Sequence, residues 1–492
     1  MKKTLFRAGV LTGVLAAFLA APAHSQTPRY RKYVALGDSL TAAVEGNCLV
    51  RRHQERSYPK RVADALGISD FQQPLISERA LGAPGSTGTC LGAVVAGGTI
   101  TVGPVSQQGV PTNAALARPY DNLGIPGANA ADLVDLRTAN PGGNTANRTA
   151  AAILRNFPGG PFDGRNAVEE ATLLQPDIVS VWIGPNDVLG AALAGAAIDG
   201  VTLTPAAVFE AKFSQILTGV RNSEALRTVI ALNVPDVTAL AFVRTIPPVV
   251  VNPTTRQPVL VNGSPVPLLG PRTTPTCSTP PCPIPPNTLV TLGASALLAQ
   301  GVGIPTALGG TGLPLPDGSF SPPATLNPGV LLYADEVTLI QQRTTEINSR
   351  IASVAASNGA TVLDIHSLFD EIVAHGYDAG GGIVVTTTFL TGGIFSADGF
   401  HPSNIGYAIV AKEIIKHLNA ATGNGYEVQD FASVLFEPDV PAITTTGVRD
   451  PAAGPFGFSL SMWKELVRTT SFGDFETVFP SPGKRAKRLI ER

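Results

Sequence analysis

The stretch YVALGDSLTA, residues Tyr33 to Ala42, passes from an apolar run into a polar turn and then into residues that open a helix. Four residues, Tyr33–Leu36, are short and apolar enough for a strand buried on both faces. Gly37 ends that strand. Asp38 and Ser39 are residue types that start helices, because their side chains accept a bond from a first-turn amide. A strand that turns directly into a helix is the repeating unit of a parallel sheet. In such sheets functional groups gather at the C-terminal strand ends. Ser39 stands at such an end.

The same pattern recurs along the chain. Ile178–Ile183, Thr228–Val234 and Ala360–Ile365 are further short apolar runs closed by turn residues. Helix periodicity falls between them: Pro205–Val220, with Thr204 as the expected cap, Tyr333–Ala356, and Gly406–Leu418 with Tyr407, Val410, Ile414 and Leu418 on one face. Alternating strands and helices predict a parallel sheet covered on both sides. Two segments break the rhythm. Ala43–Tyr120 carries a Gly-rich run, and Ala241–Leu331 holds 19 of the chain's 42 prolines. Neither shows a long periodic element. Both are read as loop-rich excursions that build walls over the catalytic edge. Nothing past about residue 425 reads as more sheet, although Phe456, Phe458, Leu460 and Met462 alternate like one strand.

The chain has 492 residues, 44% of them hydrophobic, which suits one enlarged α/β domain with insertions. A net charge of −2 offers no field for nucleic acid or an anionic membrane surface. Residues 1–25 have the form of a cleaved export signal. Lys2, Lys3 and Arg7 precede the apolar run Ala8–Ala21, and Ala23-His24-Ser25 provides small residues at the cleavage site. Its removal takes away three cations and shifts the net charge from −2 to −5. The expected organisation is a signal peptide over 1–25, a catalytic domain over 26–425 with insertions near 43–120 and 241–331, and an extension over 426–492 of unassigned role. A secreted or periplasmic location follows. Export implies an oxidising compartment, so Cys48, Cys90, Cys277 and Cys282 read as disulfides. Sequence proximity pairs Cys277 with Cys282 and leaves Cys48 for Cys90. Metal binding is the rival reading. The adjacent prolines of CSTPPC and the lack of a nearby histidine make it a poor metal loop.

A serine hydroxyl needs a base within reach and donors for the oxyanion it creates. The G-x-S-x-G elbow is absent, but Ser39 opens a helix, so its own amide is free. Histidine is the base at neutral pH. His401 lies in SADGFHPSNIGYAIVAKEII, three residues after Asp398 and just before the last helix, so one loop carries base and carboxylate together. His366 ends a strand beside Asp364 and suits a pocket wall. His53 sits among charges in RRHQER and reads as solvated. His375 and His417 read as helix-end residues. VSVWIGPNDVLG ends a strand at Asn186, whose carboxamide is a donor, and NLGIPGANAADL offers Gly124 and Gly127 as backbone donors.

Gly-Asp-Ser-Leu, then a Gly before a helix-like run, Gly-x-Asn-Asp after a strand and Asp-x-x-His before the last helix form a four-part match. The chain resembles the GDSL, or SGNH, hydrolase family. VIALNVPDVTAL and INSRIASVAASNGATVLDIH add weaker likenesses, and together these cover most of Tyr33–Thr422 apart from the excursions. The resemblance implies a three-layer α/β/α flavodoxin-like SGNH hydrolase fold with a parallel sheet. It implies ester hydrolysis through an acyl-enzyme. Ser39 is then the nucleophile, His401 the base, Asp398 its orienting partner, and the Ser39 and Gly127 amides with Asn186 the oxyanion donors. Pro185 departs from the pattern by deleting one amide, Gly124 fits its block as well as Gly127, and the span from Ser39 to Gly127 exceeds that of compact members. No cofactor and no metal is expected. The expected partner is a small-molecule or lipid ester substrate, with contact to a lipid interface, no nucleic acid and no oligomer specified. The apolar VPLLGP and GLPLPDG segments suggest an acyl groove. Alternatives are a carbohydrate O-acetylesterase, for which 2 Trp and 8 Tyr give few stacking platforms, a non-catalytic surface-binding protein on a hydrolase scaffold, and a secreted serine peptidase.

Overall fold

The computed structural model describes residues 30–96, 99–253, 255–321, 325–435, 437 and 443–444. The leader read over residues 1–25 and the alternating stretch near 456–462 lie outside the described residues.

Eight strands organise the site: β1 Tyr33–Gly37, β2 Ile76–Arg79, β3 Gly88–Ala96, β4 Thr99–Pro111, β5 Asn122–Gly124, β6 Ile178–Trp182, β7 Thr228–Leu232 and β8 Thr361–Leu363. Five of them form one parallel sheet in the order β8-β7-β6-β1-β5. Alternate residues feed two cores, as the two-residue period of a strand requires. Tyr33, Ala35, Ile178, Trp182, Ile230 and Leu232 pack one way, against the helices Tyr58–Ala65 and Asn404–Thr422. Val34, Leu36, Val179, Val181, Val229 and Ala231 pack the other way. Their partners include Val168, Phe209, Phe213, Ile340 and Ile347 from the helices Ala167–Leu173, Ala206–Val220 and Ala334–Ser357. Each such aliphatic side chain contributes ~1.5–3 kcal/mol by leaving water. The three layers are those expected.

The order of the strands fixes where the site must be. After β1 the chain moves to one side, to β5, and then returns to the other side, to β6. The reversal leaves a crevice at the C-terminal end of β1 that no crossover helix fills.

Several local expectations need correction. The first excursion is not without long elements. It holds the helix Tyr58–Ala65 and a 13-residue strand, β4, paired antiparallel with β3 and β2. Gly and Pro inside the strand sequence hid that pairing. The isolated pair Ile443–Thr444 adds in parallel to β3, so the chain past residue 425 does contribute strand, though not to the main sheet. Pro205, not Thr204, occupies the cap position of Ala206–Val220, with no side-chain bond there. The strand expected over Ala360–Ile365 stops at Leu363, because Asp364 accepts the Ser367 amide and starts the helix Ile365–His375. Both expected disulfides, Cys48–Cys90 and Cys277–Cys282, are formed, which points to an oxidising compartment. Among the described residues no helix is long and apolar enough to cross a membrane.

One buried acid makes the fold sensitive to alkali. Glu170 is fully buried on the helix Ala167–Leu173, and neither carboxyl oxygen has a hydrogen-bond partner. Burial pushes it up to about 9, against a weaker pull from Arg155. Its folded pKa lies above its unfolded one, so its protonated form favours folding at low pH. That advantage is lost between about pH 4.5 and 9, by at most about 1.4 kcal/mol per pH unit. We expect Glu170→Gln to gain stability relative to the wild type as pH rises through that window. Denaturant melts at pH 5, 7 and 9 check this, and a constant difference across them contradicts it.

Candidate active site

Ser39 opens the helix Ser39–Ala42 immediately after β1. The turn is tight because Gly37 has no side chain: a Cβ there would lie 2.1 Å from Thr41 Oγ1 and 2.3 Å from the Trp182 carbonyl. Asp38 caps the helix by accepting the Leu40 amide at 2.9 Å. Its carboxyl is fully buried, and burial pushes it up to about 8. The Ser39 amide, first in its helix, has no partner within the helix.

Gly124 ends β5 and Gly127 lies in the loop after it, and the structure gives them different roles. A Cβ on Gly124 would lie 2.4 Å from the Ala42 amide nitrogen, so this residue lets β5 pack against the serine's helix. Gly127 has φ +80° and lines the cavity beside Ser39. It sits in a turn rather than at the head of a helix, and the next helix is the single turn Asp132–Asp135.

Asn186 begins the helix Asn186–Ala194 after β6. Its carboxamide donates to the Ala128 carbonyl at 2.8 Å and approaches Asp38 Oδ2 at 3.4 Å. Asp187, nearly fully buried, accepts the Ala130 amide at 3.1 Å. Burial, opposed by hydrogen bonds from Thr204 and Ala130, pushes Asp187 up to about 7. Asn186 and Asp187 together tie the Gly127–Ala130 loop to the sheet. Asp187 was not singled out from the sequence; its place in Gly-x-Asn-Asp is the signal that marked it.

His401 and Asp398 share the loop before the helix Asn404–Thr422. His401 Nδ1 lies 2.8 Å from Asp398 Oδ2. Asp398 is fully buried, which alone would raise its pKa. The His401 charge and ring bond, with the His401 and Phe400 amides, outweigh burial and hold it below the usual carboxylate range. An ionised carboxylate only accepts, so Nδ1 carries a proton, and whenever the ring is neutral the lone pair is on Nε2. The second excursion grips the same loop. Phe242 N–H donates to the Gly399 carbonyl at 2.9 Å, and its ring meets Phe400 edge-on at 6.0 Å. Phe400 in turn lies 4.3 Å from the His401 ring.

Ser39, Gly127, Asn186 and His401 all line one cavity of about 330 Å³. Asp398 stands behind His401. Val44, Leu49, Ile76, Ile153, Leu189 and Leu193 give the cavity apolar walls, and the β3–β4 hairpin closes it through Thr87, Gly88 and Gln108–Pro111. Among the described residues none from 241–331 lines this cavity, so VPLLGP and GLPLPDG do not form the expected groove here. The reason is their placement: that excursion packs behind the His401 loop.

The other histidines lie elsewhere. His53 is buried, not solvated; burial first and the Arg52 charge second lower it to about 3. His366 sits in a helix rather than ending a strand, with Nδ1 3.0 Å from the Val234 carbonyl. His375 pairs with Glu371 on an exposed helix end. His417 is held below the usual range by burial. Among the described residues no group of three or more His, Cys, Asp or Glu side chains is arranged to hold a metal ion.

The family model described as GDSL-like lipase/acylhydrolase matches residues 33–414. The chain belongs to that family. A search of curated proteins found no match. Among solved structures, the lipase/acylhydrolase from Enterococcus faecalis is 12% identical, with 80% of this chain and 96% of that one covered and a TM-score of 0.30. The extracellular lipase from Streptomyces rimosus is 14% identical, with 80% and 100% covered and a TM-score of 0.31. The α/β hydrolase LAE5 from the metagenome of Lake Arreo, Spain, is 14% identical, with 80% and 97% covered and a TM-score of 0.31. As a GDSL-family chain the protein is a hydrolase, and small-molecule esters are the substrates that membership implies.

Proposed function

We propose that the protein is an exported serine hydrolase that cleaves carboxylic acyl esters through an acyl-enzyme. The observation that carries this is the meeting of Ser39, Gly127, Asn186 and His401, from four separate segments, on one apolar-walled cavity. His401 Nε2 takes the Ser39 proton as the oxygen attacks the acyl carbon. The resulting oxyanion is held by the amides of residues 39 and 127 and by the Asn186 carboxamide. One Asn186 N–H is committed to the Ala128 carbonyl at 2.8 Å; the other, held only by the long 3.4 Å contact with Asp38 Oδ2, exchanges that contact for the oxyanion. His401 then returns the proton to the leaving alcohol. Water, activated by the same imidazole, releases the acid and restores Ser39. Asp398 holds the ring in one tautomer and stabilises the imidazolium. The leader and the disulfides support a place outside the cytoplasm.

The acyl chain occupies the pocket bounded by Val44, Leu49, Ile76, Ile153, Leu189 and Leu193. Phe400 is the one aromatic residue among the described residues lining the cavity, and it faces His401, so there is no platform for stacking a sugar ring. The test is a series of p-nitrophenyl esters from acetyl to palmitoyl. We expect kcat/KM to rise beyond acetyl and peak at a longer chain. Each methylene placed in the pocket contributes up to about 0.8 kcal/mol, or a factor of about four. A profile that peaks at acetyl overturns the acyl-chain reading and favours a sugar O-acetylesterase.

A further inference from the structure

The turn Glu45–Cys48 belongs to the first excursion, outside the sheet, yet its backbone reaches the Asp398 carboxylate. The Asn47 amide donates to Asp398 Oδ2 at 2.7 Å, the same oxygen that faces His401 Nδ1. The preceding amide, Gly46 N–H, donates to Ser396 Oγ at 3.0 Å, and the Ser396 hydroxyl donates to Asp398 Oδ1 at 3.0 Å. In an extended chain two consecutive amides face opposite sides, so a turn conformation is needed to aim both at one loop. Here Gly46 and Asn47 both occupy the left-handed region, with φ +57° and +59°. Glycine and asparagine are the residues that tolerate it best. Gly46 also has no room for a side chain, since a Cβ would fall 2.1 Å from the Leu91 carbonyl oxygen.

The turn is held from its far side. Glu45 and Cys48 exchange backbone bonds at 3.0 and 3.1 Å, and the Leu91 amide donates to the Gly46 carbonyl at 2.8 Å. The Cys48–Cys90 disulfide then fastens the turn to β3. Cys48 and Cys90 are both buried, packed with Val50.

We propose that Gly46 and Asn47 are positioning residues for Asp398, acting through their backbone amides, and that the Cys48–Cys90 disulfide keeps those amides aimed at the carboxylate. The inference rests on the Ser39–His401–Asp398 reading and extends it. The excursion then does more than wall the cavity: it completes the shell of donors around the residue that orients the base. Hydrogen bonds to an ionised, buried carboxylate are the strong kind, and a displaced carboxylate misorients the imidazole.

The test compares Asn47→Val with Asn47→Gly, both with the disulfide intact. Each removes the carboxamide; they differ in left-handed preference and in the valine side chain, which at this cavity-lining position could also touch substrate, so the substrate-free resonance below is what isolates the backbone. Valine disfavours the left-handed conformation and glycine does not. On the preferred p-nitrophenyl ester we expect kcat of Asn47→Val to fall about tenfold or more below that of Asn47→Gly, with KM changed much less. The low-field proton resonance of the His401–Asp398 bond should persist in Asn47→Gly and shift or broaden in Asn47→Val. The disulfide-free Cys48→Ala/Cys90→Ala protein should move the resonance in the same sense. Equal kcat and an unchanged resonance in folded Asn47→Val would overturn the proposal and leave the turn as a mere anchor. The resonance is read without any substrate. A protein that shows these shifts but hydrolyses no ester would therefore fault the proposed reaction and not the brace.

Discussion

We expect Ser39→Ala to remove ester hydrolysis, with kcat down by a factor on the order of 10⁶ and the fold intact. The effect is this large because in the proposed mechanism the serine oxygen forms the acyl bond, and no neighbouring group replaces it. His401 keeps its lone pair but has only water to activate. The fold survives because residue 39 is the first of its helix, where alanine is well tolerated, and the cap is provided by Asp38. The amide of residue 39 also survives, so the oxyanion donors stay in place. A thermal melt that matches the wild type, alongside lost turnover, is the expected pair of results. Full activity in this variant would remove Ser39 from the chemistry.

Asp398→Asn lowers kcat by a factor on the order of 10⁴ and, unlike the serine change, also weakens the fold. The carboxylate accepts from Ser396 Oγ, Phe400 N and His401 N on one oxygen, and from His401 Nδ1 and Asn47 N on the other. An asparagine has one acceptor oxygen. Its NH₂ group must face donors, which strands buried N–H groups at a cost of about 1–3 kcal/mol. It also favours the imidazole tautomer with the proton on Nε2, which cannot accept from Ser39. Steady-state kinetics and denaturant unfolding of the same preparation separate the two losses. An unchanged stability with unchanged kcat would show that the carboxylate only decorates the loop.

Much of the architecture was readable before any coordinates. Tyr33–Leu36, Ile178–Ile183 and Thr228–Val234 are predominantly apolar because both faces of the sheet are covered, and such runs stand out. β5 did not stand out, since Asn122–Gly124 is three residues long and ends in a glycine. The β3–β4 hairpin was lost in a Gly-rich passage whose pairing depends on partners in another strand, not on its own periodicity. His53 was misread because three nearby arginines suggested water, whereas the chain folds this histidine into the interior. The candidate site was legible where chemistry is local. A serine at a strand end, an asparagine at another and an Asp-x-x-His loop each announce themselves by residue type. The contacts of the Gly46–Asn47 turn with Ser396 and Asp398 were not legible, because they join segments far apart in sequence and use main-chain amides that every residue but proline possesses.

Labelling with a fluorophosphonate, followed by peptide mass spectrometry, tests the central assignment most directly. It reads the nucleophile itself, whatever the natural ester. The account predicts one phosphonylated site, Ser39, with ester hydrolysis lost in step with labelling and no labelling in the Asp398→Asn or His401→Ala proteins on the same timescale. Hydrolysis that persists after Ser39 is fully labelled, or a label carried by a different serine in the active protein, would contradict it.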